Sequence, residues 1–168
     1  MLLYTFSERK DYHGYFNVKL DTGLREGINT SAEFYKGLKI QGPIFNNYDI
    51  GGYLIYHLYP QEKVFVDNRP EAYSVSFFED IYYPMMADET KWKEMDAKYN
   101  FNCIYFDRND NTEHGQPFLI RRIEDPEWVP IFADQRDPAI ILLKRNQQNA
   151  AIIAQYELPK SMFTSRPN

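Results

Sequence analysis

The chain contains very few residues that could support covalent cross-linking or metal binding. Among its 168 residues there is one cysteine, Cys103, so an internal disulfide is impossible. Cys103 lies in an apolar run, which favours a small buried side chain over a nucleophile or a metal ligand. The three histidines, His13, His57 and His114, show no metal-ligand spacing. The sequence therefore predicts no metal site and no cofactor.

Long apolar runs, an excess of basic residues and nucleotide-binding motifs are also absent. No stretch approaches the ~18 consecutive apolar residues of a membrane span. The net charge of -5 and the pI near 5.2 argue against a nucleic-acid partner, because phosphate binding requires clustered lysine and arginine. Neither G-x-G-x-x-G nor G-x-x-x-x-G-K occurs, and no serine lies in a G-x-S-x-G elbow. No catalytic residue is predicted.

Aromatic residues, by contrast, are abundant. Tyrosine (14), phenylalanine (12) and tryptophan (2) make up 17% of the chain. Tyrosines in this number could stack on sugars or fill an interface, but an aromatic core whose hydroxyl groups reach its edge is the simpler interpretation. The aromatic content therefore does not by itself identify a ligand.

The length of the chain fits one domain. At 168 residues and 20.0 kDa it is long enough to bury roughly two thirds of its unfolded surface. Residues 1–28 lack clear periodicity and are predicted to form an extended arm with a candidate strand at 15–19. Residues 157–168 are predicted to be a loosely held tail.

Residues 42–73 determine the predicted fold class. A short apolar strand at 43–46 is followed by helical apolar spacing over about 50–58 and by a second apolar strand at 63–67. A strand, helix and strand of these lengths favour a right-handed parallel crossover.

The rest of the chain extends this α/β pattern. Apolar runs predict strands at 102–107, 128–133 and 139–144, of which the last two form an antiparallel hairpin with Pro130 at or near an edge. The predicted fold is a Rossmann-like, three-layer domain whose mostly parallel sheet has about five strands and a C-terminal antiparallel hairpin. Helices are predicted over 30–39, 90–99, 116–123 and about 147–156.

Polar side chains follow four of the predicted strands, and the carboxyl ends of parallel strands meet at one edge, where open α/β folds bind ligands. One interpretation is a site for a polyhydroxyl ligand or a cation. The other is that these are turn and cap residues, with Asp67 pairing Arg69 to order its loop. The candidate ligand edge consists of Asn46, Asn47, Asp67, Arg69, Asp107 and Asp134.

Gly51 and Gly52 lie near the start of the predicted helix over 50–58. They could allow a phosphate or a substrate to approach the backbone. Because no nucleotide fingerprint surrounds them, tight packing between helix and strand is the favoured reason for the pair.

Two segments follow a recurrent pattern. Residues 42–54 read G-P-I-F-N-N-Y-D-I-G-G-Y-L, and residues 63–69 read K-V-F-V-D-N-R, with Tyr73 shortly after. This pattern resembles the soluble C-terminal domain of bacterial multi-pass membrane proteins of the mannosyltransferase and oligosaccharyltransferase-like kind. Asn68 stands where a glycine is usual in that pattern, and Ile50 where an aromatic residue is usual.

The resemblance extends over about residues 30–145. A helix containing Trp92, Tyr99 before a strand, and Trp128 opening a strand that ends at Asp134 are similar as well. The resemblance implies a parent protein that transfers sugars from polyprenyl-phosphate donors, using acidic residues on loops between membrane helices. Those loops are not in this sequence, so no catalytic residue is carried over.

By this resemblance, the expected function is that of a non-catalytic accessory domain on the extracytoplasmic, periplasmic face of the membrane. It would position an acceptor or stabilise the membrane part. Its expected partners are the membrane-embedded portion of the same protein and a glycan or protein acceptor, with no nucleic acid. The alternative is a free-standing α/β sugar-binding protein or enzyme that uses the carboxyl edge of the sheet.

Overall fold

The computed structural model of the chain describes residues 29–163, so the predicted arm at 1–28 and its strand lie outside the described residues. Short 3₁₀ turns occur at Pro70–Ala72 and Lys160–Met162. The other elements are, in order, α1 (Thr30–Gly37), β1 (Ile44–Asn46), α2 (Gly51–Leu58), α3 (Val75–Phe77), a π-helical turn (Phe78–Tyr82), α4 (Tyr83–Ala87), α5 (Glu89–Tyr99), β2 (Cys103–Asp107), α6 (Gly115–Glu124), β3 (Trp128–Ala133), β4 (Ala139–Lys144) and α7 (Ala150–Tyr156).

The sheet in this part of the chain has four strands in the order β1-β2-β4-β3. β1 and β2 are parallel, with Ile44 opposite Cys103. β4 is antiparallel to both of its neighbours, and the register of the β3-β4 hairpin shifts between Pro130 and Phe132. The edge position of β3 confirms the prediction from Pro130, which cannot donate to a ladder.

The predicted sheet of about five mostly parallel strands is wrong. The sheet is mixed, only β1 and β2 are parallel, and residues 63–67 are not a strand. The Asn46 side chain takes the role expected of a partner strand. Its Oδ1 accepts from the Phe65 amide at 2.8 Å, and its Nδ2 donates to the Val66 carbonyl at 2.7 Å. An apolar run predicts burial, but it cannot show whether a strand or a side chain satisfies its backbone.

Side chains alternate between the two faces along each strand, and apolar side chains of these strands point to both faces. Helices cover both faces of the sheet. On one face, Cys103 and Tyr105 of β2 pack with residues of α1, α2 and α7, which include Tyr35, Leu54 and Ile153. On the other face, Ile104 and Phe106 pack with residues of α4, α5 and α6, which include Met85, Trp92 and Phe118.

Phe45 of β1 is the centre of the second core. Its side chain is fully buried, and its ring centroid lies 5.1–5.4 Å from those of Phe65, Trp92, Phe101 and Phe118. Phe65 belongs to the segment that follows α2, so aromatic packing holds this segment beside the sheet. Many of the aromatic residues thus form a core, as the simpler interpretation predicted.

Residues 157–163 of the predicted tail contact the body of the domain. The Leu158 amide donates to the Pro130 carbonyl at 2.8 Å, along the outer edge of β3. The Lys160 ammonium donates to the Glu124 carbonyl at 3.0 Å, near the end of α6.

Candidate functional site

The carboxyl ends of β1, β2 and β3 lie at the same end of the sheet. β1 is parallel to β2, and β3 runs in the same direction as β2 because both are antiparallel to β4. The candidate residues that follow these strands are therefore at one edge, as a parallel sheet would have placed them. Whether they are open to a ligand depends on the partners of each side chain.

Asn46 and Asn47 are both fully buried at the end of β1. The Asn46 amide group is occupied by the backbone of residues 65 and 66. The Asn47 Nδ2 donates to Asp110 Oδ2 at 2.9 Å, and its Oδ1 accepts from the Asp107 amide at 2.9 Å. Asn47 therefore joins the end of β1 to the loop after β2. The oxygen and the nitrogen of its side-chain amide both have hydrogen-bond partners within the chain.

Asp107 is the half-buried last residue of β2. Its Oδ1 accepts from the Asn109 amide at 2.8 Å, as expected of an aspartate that begins a turn. Burial raises the pKa of Asp107, and the negative charges of Asp49 and Asp110 act in the same direction.

Asp110 is a buried carboxylate at this edge that the sequence did not single out. Its Oδ1 accepts from the amide and the hydroxyl of Thr112, at 2.9 and 2.6 Å. Gly115 follows at the start of α6, where an added Cβ would lie 2.4 Å from the carboxylate carbon. The two-residue spacing of Asp110 and Thr112 is the signal that the sequence offers for this turn.

Asp67 is the acceptor at the centre of a small network in the loop after α2. Its Oδ1 accepts from the Arg69 Nε at 2.8 Å and from the Arg69 amide at 3.1 Å. Its Oδ2 accepts from the Arg69 Nη2 at 2.7 Å and from the Tyr73 hydroxyl at 3.0 Å. The Tyr73 oxygen in turn accepts from the Asp67 amide at 3.0 Å. Both carboxylate oxygens are thus occupied within the chain.

The two charges of this network differ in exposure. The Asp67 side chain is 3% exposed, whereas the Arg69 side chain is 62% exposed and covers it from the solvent side. The hydrogen bond from Arg69 is the main cause that lowers the pKa of Asp67. The arrangement orders residues 67–73 and leaves the carboxylate without a free oxygen for a ligand.

Asp134 lies at the β3 end of this edge, in the turn between β3 and β4. Its Oδ1 accepts from the Arg136 amide at 2.8 Å, and its carbonyl accepts from the Arg108 guanidinium. Arg108 also donates to the Asp137 carbonyl at 2.6 Å. Asp134 is therefore part of a turn that Arg108 fastens to the end of β2.

Gly51 allows the start of α2 to touch the loop after this helix. A Cβ at Gly51 would lie 2.2 Å from the Val66 carbonyl oxygen and 2.5 Å from the Asp67 Cα. The favoured reason for the glycine pair, close packing, therefore applies to Gly51, although its partner is a loop and not a strand.

Within residues 29–163, the titratable side chains do not form a metal centre. No group of three or more histidine, cysteine, aspartate or glutamate side chains is positioned to hold a metal ion there. Cys103 is fully buried, and burial raises the pKa of its thiol well above the usual value.

Comparisons of the chain with protein-family models, with curated proteins and with solved structures find no match. In the part of the chain that the structure describes, none of the helices has the length and apolar character needed to cross a bilayer. The similarity to membrane glycosyltransferase domains therefore remains a prediction from the sequence.

The Asp67 carboxylate is expected to make stability depend on pH. The pKa of Asp67 in the folded chain is below the usual 3.8. The contribution of this carboxylate to the free energy of unfolding is therefore fully present above about pH 3.8 and is lost as the pH falls through the folded-state pKa. Replacing Asp67 by alanine should lower the free energy of unfolding at pH 7 by about 1–3 kcal/mol, because the Tyr73 hydroxyl and the Arg69 amide lose their acceptor. Urea unfolding at pH 7 and at lower pH values measures both effects.

Two variants control this prediction. Arg69→Ala should destabilise less than Asp67→Ala, because water can replace a guanidinium that is 62% exposed. Asp80→Asn changes an exposed carboxylate and should have little effect. A stability of Asp67→Ala equal to that of the wild-type chain at pH 7 would show that the network does not order the loop.

Proposed function

We propose that the chain is a non-catalytic accessory domain of a membrane glycosyltransferase-like protein. It lies on the extracytoplasmic face of the membrane, where it positions an acceptor or stabilises the membrane-embedded part. One observation supports the proposal. Four residues of the segments that carry the sequence resemblance hold a single loop in place: Asn46, Gly51, Asp67 and Tyr73. The side chains of Asn46 and Asp67 have their hydrogen-bond partners within the chain.

The loop comprises residues 65–73, and four contacts hold it. The Asn46 side chain binds its first residues, Gly51 packs against its middle, and Asp67 with Tyr73 closes its end. The ring of Phe65 packs against the ring of Phe45 in the core. The G-P-I-F-N, D-I-G-G-Y-L and K-V-F-V-D-N-R segments thus all contribute to holding the 65–73 loop in place.

The outer surface of this loop is exposed. Residues 68–72 are all exposed, and Pro70 opens a 3₁₀ turn at the tip. Val75, at the start of α3, is an apolar side chain that is 70% exposed. A loop that contacts with the rest of the domain already hold in one conformation loses little conformational entropy on binding, which favours docking to a partner. We refer to residues 68–75 as the docking loop.

The genomic reading frame provides the first test. The coding sequence on the 5′ side of the Met1 codon, or an adjacent gene, should encode several hydrophobic membrane spans. A reading frame without such spans, beside genes that encode none, would overturn the assignment to a membrane glycosyltransferase-like protein.

Cross-linking in the native membrane tests the docking loop itself. A photoreactive amino acid in place of Glu71, at the exposed tip, should cross-link to the membrane-embedded part or to the acceptor. The same amino acid in place of Lys93, exposed on α5, serves as the matched control and should give no such product. Equal cross-linking from both positions, or none from Glu71, would argue against docking through this loop.

The carboxyl-edge alternative predicts a different result. Mono- and oligosaccharides or divalent ions would then shift the NMR signals of Asp67, Arg69, Asp107 and Asp134. We expect no such shifts, because these side chains already have partners within the chain.

A further inference from the structure

The π-helical turn at Phe78–Tyr82 brings two aromatic rings together at the surface. The Tyr83 amide donates to the Phe78 carbonyl, five residues earlier. In an α-helix, positions five apart point about 140° away from each other, because one turn takes 3.6 residues. The wider π turn places the rings of Phe78 and Tyr83 side by side, with centroids 5.8 Å apart and planes inclined by 34°. Such turns are frequent at functional sites.

Tyr48 adds a third ring to this pair. Its ring centroid lies 6.0 Å from that of Phe78, with the planes at 65°. Tyr83 is 43% exposed, and Tyr48 and Phe78 are both half-buried. We refer to Tyr48, Phe78 and Tyr83 as the aromatic face. It adjoins the docking loop, because the Phe78 ring also packs 5.7 Å from that of Tyr73, and the His114 ring borders it 6.2 Å from that of Tyr83.

The aromatic face has no cation from the described residues over its rings. Elsewhere in residues 29–163, lysine or arginine side chains lie over the rings of Tyr99, Trp92, Phe118 and Trp128. The π system of an aromatic ring is negative on its face and attracts cations. The three rings of the aromatic face therefore offer a surface of this kind to a cation from another molecule.

Carboxylates without a cationic partner lie beside the aromatic face. Asp49, Glu71, Glu79 and Asp80 are all exposed, and none of them forms an ion pair within residues 29–163. Desolvation on burial is the largest cause that raises the pKa of the Tyr48 hydroxyl, and the negative charges of Glu71 and Asp49 follow. These two carboxylates therefore lie close enough to Tyr48 for their charges to act on it.

Basic residues are scarce in the same part of the chain. Between Lys63 and Lys91 the sequence has one basic residue, Arg69, and its guanidinium pairs with the Asp67 carboxylate. The carboxylates beside the aromatic face thus keep an excess of negative charge. A complementary partner has to present positive charge to this surface.

We propose that the aromatic face binds an arginine side chain of a partner protein, whose guanidinium stacks on the rings and donates to the carboxylates of Glu71 and Asp49. Arginine fits both features, because its planar guanidinium stacks on aromatic rings and carries five N–H donors. A lysine ammonium has no planar face, and the quaternary ammonium of a lipid headgroup has no N–H to donate to a carboxylate. The inference rests on the proposed docking through residues 68–75, since it names the chemistry of that partner.

NMR titration of the whole chain at low ionic strength tests the proposal. The probes are a blocked peptide with two arginines separated by glycine, the same peptide with citrulline or lysine in place of arginine, and phosphatidylcholine vesicles. The arginine peptide should give saturable shifts at the backbone amides of Tyr48, Glu71, Phe78 and Tyr83. The citrulline peptide, which has nearly the same shape but no charge, should bind at least about fivefold more weakly, and the lysine peptide should fall between the two.

Two substitutions locate the bound arginine. Glu71→Gln removes one charge and Tyr83→Leu removes one ring, and each should weaken binding of the arginine peptide by about two- to fivefold. Glu71 is exposed and without an ion pair, so the folded chain should tolerate its replacement. Glu127→Gln and Tyr59→Leu change an exposed carboxylate and an exposed ring elsewhere on the domain. These matched controls should bind the peptide as the wild type does.

Absence of saturable binding by the arginine peptide would overturn the proposal, as would equal binding of the citrulline or the lysine peptide. So would normal binding by Glu71→Gln or by Tyr83→Leu. Shifts of the same amides by the vesicles, but not by the arginine peptide, would assign the aromatic face to the membrane instead.

These results are separable from those that test the proposed function. Arginine-peptide binding without cross-linking from Glu71 in the native membrane would support the aromatic face and contradict docking to the membrane-embedded part or the acceptor. Cross-linking from Glu71 without arginine-peptide binding would support docking and contradict the arginine.

Discussion

Replacing Gly51 by alanine is expected to lower the free energy of unfolding by on the order of 3 kcal/mol or more. The added Cβ would lie 2.2 Å from the Val66 carbonyl oxygen and 2.5 Å from the Asp67 Cα. Both are backbone atoms, so no side-chain rotation can relieve the overlap. Urea unfolding followed by the fluorescence of the buried Trp92 and Trp128 measures the loss.

Two other glycines are matched controls for this substitution. A Cβ at Gly52 would first meet Asn68 Oδ1 at 3.0 Å, the end of an exposed side chain that can move away. A Cβ at Gly37 would have nothing within 4 Å. Alanine at either position should be neutral or slightly stabilising, since alanine favours the helix. Equal losses at Gly51 and Gly52 would contradict close packing of α2 against the loop.

Replacing Asn46 by alanine is expected to lower the free energy of unfolding by about 2–4 kcal/mol, the second largest effect. The substitution leaves the Phe65 amide and the Val66 carbonyl without partners beside a fully buried position, and each such group costs about 1–3 kcal/mol. Urea unfolding of the variant beside the wild-type chain measures the effect.

Asn68→Ala is the control for Asn46→Ala, because it removes an exposed amide side chain from the same loop. It should change the stability by less than about 0.5 kcal/mol. Asn46→Asp tests the donor separately, since a carboxylate can accept from Phe65 but cannot donate to Val66. A loss from Asn46→Ala no larger than that from Asn68→Ala would contradict the role given to Asn46.

The regular elements could be predicted because each has a local period. The helices predicted at 30–39 and 90–99 are observed at Thr30–Gly37 and Glu89–Tyr99. The predicted antiparallel hairpin is β3 with β4. The segment 63–67 has the same apolar character as a strand, but a side chain 19 residues away from Phe65 binds its backbone. A single sequence contains no signal for this pairing.

The functional residues were predictable only where their partners are near in sequence. Asp67 and Arg69 are two residues apart, and their pairing was one of the two interpretations open from the sequence. The participation of Tyr73 depends on the path of the loop.

Amide hydrogen exchange measured by NMR tests most directly whether side chains, and not a partner strand, hold the 65–73 loop. The amides of Phe65, Asp67 and Arg69 donate to side-chain oxygens, so they should be protected in the wild-type chain. In Asn46→Ala, Phe65 should lose its protection while Ile104 in β2 retains it. Unprotected exchange of Phe65 in the wild type, or protection that survives the loss of Asn46, would contradict the structural role of the motif.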